Sequence, residues 1–161
     1  LEALKAVPDG TLAGKIAFVN LKMLRAKDGS GYGPVSNVRR TGASEAARKG
    51  ASALLIRSVG TDHDRLAHTG ATRYVDGIPA IPAFAVSVPD ADTVARMQRY
   101  GKPVRMHLAM QNELGIDAVS HNVIGEIPGT DLADEIEAAA AAAVMAPAPP
   151  SRLEIAEASL A

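Results

Sequence analysis

Three short apolar runs constrain this chain most: "KIAFVNL" (Lys15–Leu21), "ASALLIRSV" (Ala51–Val59) and "AFAVSV" (Ala83–Val88). Unbroken apolar stretches of this length, bounded by turn signals such as the "PDG" ahead of the first, have the pattern of buried strands. Helix signals separate them. From Val35 to Lys49, small and apolar residues recur at helical spacing (Val35, Val38, Ala43, Ala46, Ala47). Gly50 is a natural stop for that helix, and Gly42 is expected to split it in two. "PDADTVARMQRYG" opens with Pro and two Asp, closes on Gly, and aligns Val94 with Met97, which predicts a second helix. Strands alternating with helices define an α/β domain.

Further along, "PVRMHLAM" (Pro103–Met110) alternates as a half-buried strand, and "HNVIGEIPG" (His121–Gly129) reads as another strand closed by a turn. Two loops stand out. Lys22–Pro34 is polar and glycine-rich. Gly60–Ile81 has no periodicity, and loops of such length inside a domain are usually functional or disordered. From Asp131 the composition turns Ala-rich and then Pro-rich, which predicts a helix, a stiff linker and a second short helix.

A chain of 161 residues can bury one real core. With 47% hydrophobic residues but only 3% aromatic, that core must be aliphatic. A net charge of -1 argues against a nucleic-acid binder, although Arg39, Arg40, Arg48 and Lys49 form a local basic stretch. The absence of cysteine removes disulfides and thiolate zinc sites. No apolar run is long enough to cross a bilayer as a helix, so no membrane partner is expected. Leu1 in place of an initiator Met, with no charged-then-apolar leader, reads as a processed or excerpted piece.

The chemistry-bearing residues give several weak signals. Gly29, Gly31 and Gly33 precede a helix, as phosphate-binding glycines do. Yet a dinucleotide fingerprint starts in the tight turn that leaves a strand, and Pro34 holds the place of its third glycine. No Gly-Lys-Ser/Thr follows, and Arg57 and Ser58 end the second strand where a ribose-binding acid is wanted. Glycine freedom in a loop is the simpler reading, with a nucleotide-binding module on Gly29–Gly33 as the alternative. In "TDHDRLAHTG", Asp62, His63, Asp64 and His68 carry ligand atoms that suit zinc. The two histidines are five apart in a loop, so His63 and His68 are weak metal candidates. His107 and His121 read as structural, and Asp90 and Asp92 suit the dipole of a helix start. Arg39 and Arg40, near Tyr32, are candidates to meet an anionic or peptide ligand. No catalytic constellation emerges, and no serine sits in a nucleophile elbow.

Taken in order, "GTLAGKIAFVN", "SNVRRTGASEAARKGASALLIRSVG" and "GIPAIPAFAVSVPDADTVARM" resemble a protease-associated domain. "SHNVIGEIPGT" resembles the strand that re-enters the catalytic domain of zinc exopeptidases with two co-catalytic metals. "KDGSGYGPVSNVRR" and "HTGATRYVDGIPAIP" resemble the carboxypeptidase Q-like branch of that family. The resemblance implies an α/β fold, a compact sheet or partly open barrel flanked by short helices, with the Ala/Pro-rich tail appended. It implies a protease-associated domain over residues 1–120, a remnant catalytic strand over 121–136, and a tail over 137–161. The family's next motif, His-x-Asp, does not occur here, and His63-Asp64 is merely adjacent. The chain is therefore expected to hold no metal itself, with zinc confined to the full-length peptidase. Its expected partners are a peptidase catalytic domain, a peptide substrate, or a second copy of itself. A secreted or periplasmic location is implied by the resemblance. Should the domain touch substrate, Tyr32, Arg39, Arg40, His68, Thr69, Arg73 and Tyr74 are the expected contacts. A second expectation is a fragment of an active metallopeptidase whose catalytic part lies elsewhere.

Overall fold

The computed structural model describes residues 1–101, 103–111, 119 and 121, together with the backbone of four strands at 123–128, 136–141, 152–154 and 158–160. The chain divides into two units, Leu1–Leu108 with Ile155–Ala161, and Ala109–Glu154. The boundaries expected after residues 120 and 136 fall inside the second unit.

The first unit contains α1 (Glu2–Lys5), β1 (Lys15–Val19), α2 (Tyr32–Arg48), β2 (Ala53–Arg57), β3 (Ala83–Val86), α3 (Val88–Arg99) and β4 (Arg105–Met106). The three apolar runs are strands, as expected, and they pair in parallel in the order β3-β2-β1. Ile16 pairs with Ala53 and Leu54 with Ala83, so successive strands are in step across the sheet. Parallel strands are covered on both faces, which is why these runs do not alternate with polar residues. All five residues of β2 are buried, as a central strand requires. On one face Ala17, Leu54 and Ile56 meet α1 and α2 through Leu4, Val38, Ala43 and Ala46. On the other, Ile16, Ala53 and Leu55 pack with Leu108, Phe18, Phe84 and Met106. Truncating Leu55, which has no exposed surface, removes contacts worth about 2–5 kcal/mol.

Helix α2 runs unbroken from Tyr32 to Arg48, so Gly42 does not split it. Gly42 is buried instead, and a Cβ there would meet Leu54 Cδ2 at 3.1 Å. The glycine lets the helix lie close on β2. The helix also begins three residues before the expected Val35, because Pro34 is tolerated in a first turn, where the backbone N–H has no intrahelical partner anyway. Gly29 has φ +74°, and a side chain at Gly31 would overlap the Leu24 carbonyl. These glycines thus shape the approach to α2, with residues 20–31 between strand and helix.

Helix α3 starts as its sequence signals require. Ser87 is the N-cap, its hydroxyl accepting from the Asp90 backbone N–H, and Pro89 fills the first turn. The expected strand Pro103–Met110 is interrupted: β4 ends at Met106, His107 and Leu108 lie outside it, and β5 (Ala109–Gln111) follows. In the first unit β9 (Ala158–Leu160) pairs in parallel with β1 and antiparallel with β4.

The second unit holds β5, β6 (Val123–Pro128), β7 (Ile136–Ala141) and β8 (Arg152–Glu154). The expected helix over the Ala-rich stretch is replaced by β7, which pairs antiparallel with β6 from Val123↔Ala141 to Pro128↔Ile136. Inter-strand bonds there satisfy the backbone that a helix would satisfy internally, so pairing overrides alanine's helix preference. Where a second short helix is expected, the described residues form the strands β8 and β9. The Pro-rich linker lies outside the described residues.

Candidate functional site

Strands β1, β2 and β3 end together at Val19, Arg57 and Val86, and the long loops 20–31 and 58–82 leave from those ends. In open parallel sheets, the carboxyl ends of strands are where ligands bind. Among the described residues, three polar groups involve these loops.

The first group joins α2 to the long loop. Tyr32 and Arg39 are seven residues apart and share one helix face. Arg39 donates from Nη2 to the Tyr32 hydroxyl at 2.7 Å and from Nη1 to the Thr69 carbonyl at 3.2 Å. Its guanidinium also lies 5.8 Å from the centre of the Tyr32 ring. Gly70 packs on that guanidinium, so closely that a Cβ would sit 2.5 Å from Cζ and 2.6 Å from Nε. Further along the same helix, the Arg40 carbonyl accepts from the Arg73 backbone N–H at 2.7 Å and Ser44 Oγ accepts from the Val75 N–H at 3.0 Å. The loop is thus pinned along α2 at three points. Arg39, Thr69, Gly70 and Thr72 line a cavity of about 40 Å³ whose other walls include Leu54, Ile56 and Phe84.

Of the seven expected contact residues, the structure brings Tyr32, Arg39 and Thr69 into direct contact and joins Arg40 to Arg73 through the backbone. The other two turn elsewhere. Tyr74 donates to the Ile81 carbonyl at 2.8 Å, and burial raises its pKa. His68 engages Asp62 through Nε2 at 2.7 Å and donates its backbone N–H to Ser58 Oγ at 3.0 Å.

The second group is Asp62, Asp64 and His68, whose ligand atoms lie within 4.8 Å of one another. His63 does not join it; it lines a crevice with Arg57 and Asp92 instead. The hydrogen bond from His68 is the main cause holding Asp62 below the usual carboxylate range. Asp64 Oδ1 accepts from the Leu66 N–H at 3.0 Å, a local turn that sets where the carboxylate points. Three donors, Asp62 half-buried and the others exposed, two of them already bonded to each other, do not fit a centre of two co-catalytic zinc ions, which needs ligands for both metals.

The third group was not anticipated from sequence. Arg57, with only 3% of its side chain exposed, donates from Nε to Asn20 Oδ1 at 2.7 Å and pairs with Asp92. Asp92 also draws Lys22 to 3.8 Å. Its pKa is lowered, chiefly by the Arg57 hydrogen bond. With Lys22, Arg25, Thr61 and His63, the pair borders a crevice of about 290 Å³. A charged residue ending the apolar run "ALLIR" was the available signal. His107 and His121 are both exposed.

The known proteins similar to this chain are peptidases. No protein-family model matches the chain. It is 37% identical to mouse (Mus musculus) carboxypeptidase Q over 107 residues, 66% of this chain and 23% of that protein. Human carboxypeptidase Q is 36% identical over 123 residues, 76% of this chain and 25% of the relative. The crystal structure of a peptidase M28 precursor from Shewanella amazonensis superposes with a TM-score of 0.62 at 50% identity, covering 63% of this chain and 23% of that one. The chain is thus homologous to a segment of these metallopeptidases, and spans about a quarter of the length of the curated relatives it matches.

Proposed function

We propose that this chain serves as a protease-associated domain of a zinc-dependent exopeptidase of the carboxypeptidase Q kind, lying beside the substrate cleft and contributing no catalytic group. The observation that carries this reading is a pairing. The chain is homologous to carboxypeptidase Q over most of its own length, yet has no His-x-Asp and only three clustered ligand residues among those described. Hydrolysis by such an enzyme depends on zinc held by the rest of the peptidase, which is this domain's principal partner. Loops at the carboxyl edge of the sheet are the parts suited to reach a peptide, because a rigid sheet positions them while glycines let them adapt. Tyr32, half exposed at the α2 start, offers contact area at low entropic cost. Association with a second copy and export from the cytoplasm belong to the same proposal. The fragment reading does not compete with it, since both place catalysis outside these residues.

Kinetics of the complete peptidase carrying this segment test the reading. Tyr32→Ala is expected to raise KM for dipeptides about tenfold, equivalent to about 1.4 kcal/mol of lost binding, with kcat little changed. An unchanged KM overturns the substrate contact.

A further inference from the structure

Arg39 has no acidic partner among the described residues. Among the described residues, no carboxylate lies within ion-pair distance of Arg39, Arg40 or Arg73, whereas Arg48, Arg57 and Arg65 all have one. Arg39 is half-buried, its Nε is fully buried with no protein partner, and its two engaged N–H groups meet neutral oxygens of Tyr32 and Thr69. Neutral acceptors fix the plane of a guanidinium without neutralising it. Removing such a charge from water costs free energy that a matching anion would offset. The cavity beside it has apolar walls from Leu54, Ile56, Ala83 and Phe84, a setting in which a charge-assisted bond is stronger than in water. At about 40 Å³ it exceeds the space one water needs and suits a group the size of a carboxylate, not a phosphate ester with its nucleoside.

The geometry points to Arg39 as a carboxylate anchor, held by Tyr32, Thr69 and Gly70, that takes a carboxylate of a short peptide. This inference rests on the reading of the domain as one that faces peptide, and it names the part of the peptide recognised. Two sources share that chemistry: a free C-terminus, and an Asp or Glu side chain.

The test is a titration of the 161-residue chain followed at the Arg39 Nε–H by NMR, using Ala-Ala, Ala-Ala amide and Asp-Ala amide. A saturating shift with Ala-Ala but not with its amide supports a C-terminal carboxylate. A shift with Asp-Ala amide alone supports a side-chain carboxylate instead. Arg39→Lys keeps the charge but loses the planar fork; followed by calorimetry with the same peptides, it is expected to bind at least tenfold more weakly than wild type while the chain melts as a folded protein. Equal shifts with Ala-Ala and Ala-Ala amide, or none with any peptide, overturn the anchor. Carboxylate binding by this chain alongside a complete protein that hydrolyses no peptide would sink the peptidase reading while leaving the anchor standing.

Discussion

Replacing Asp92 by Asn tests how the carboxyl edge of the sheet is held together. Asp92 is 40% exposed, but its partner Arg57 is buried to 3%. Losing one member of a fully buried pair costs about 3–5 kcal/mol, because the other charge is stranded. Solvent reaches Asp92, and Arg57 keeps its bond to Asn20 Oδ1, so the expected cost is smaller, about 2 kcal/mol. For a domain of roughly 100 residues that lowers Tm by about 8 °C. The pH dependence follows from the same contact. The Asp92 carboxyl titrates below its ordinary 3.8, so the stabilisation is complete above that pH and is lost as pH falls through the lower folded value. Urea midpoints of wild type and Asp92→Asn should therefore differ at pH 7 and converge in strong acid. Equal midpoints at pH 7, or a gap that persists unchanged into strong acid, would refute the reasoning.

Two substitutions probe neighbouring contacts. Gly70→Ala places a Cβ 2.5 Å from Arg39 Cζ, so the guanidinium must swing away; carboxylate binding should be lost, while stability changes by less than about 1 kcal/mol because the displaced group ends a flexible side chain. Denaturation and the peptide titration together check both halves. Ser87→Ala removes the α3 cap and should cost about 1 kcal/mol in a urea melt, with no effect on peptide binding.

Strands β1, β2 and β3 and helix α3 were legible because their signals are local: apolar runs of strand length, and Pro89 with Asp90 and Asp92 at a helix start. Gly42 misled because glycine breaks helices by propensity, whereas here it answers the need of α2 to approach Leu54, a long-range fact. The Ala-rich stretch misled for a related reason, since its partner β6 lies several residues upstream and no local pattern announces the pairing. The candidate site was half visible. Arg39 and Arg40 were placed near Tyr32, but Tyr32 was read in the loop ahead of the helix, and the meeting of Arg39 with Thr69, thirty residues on, depends on where the long loop returns. The metal candidates shifted from His63 to Asp64 because the turn around Asp64 decides which side chains converge, and composition does not encode it. Arg57 and Asp92 were read apart, as a strand end and a helix start, and only the sheet brings them together.

The central claim is that this chain contributes binding surface and no catalytic centre to a peptidase. The most direct test is dipeptide hydrolysis by the purified chain, supplied with zinc at near-neutral pH. No turnover above buffer is expected, whether or not zinc binds at Asp62, Asp64 and His68. Zinc-dependent turnover that Asp64→Asn abolishes would contradict the claim and place a catalytic centre within these residues.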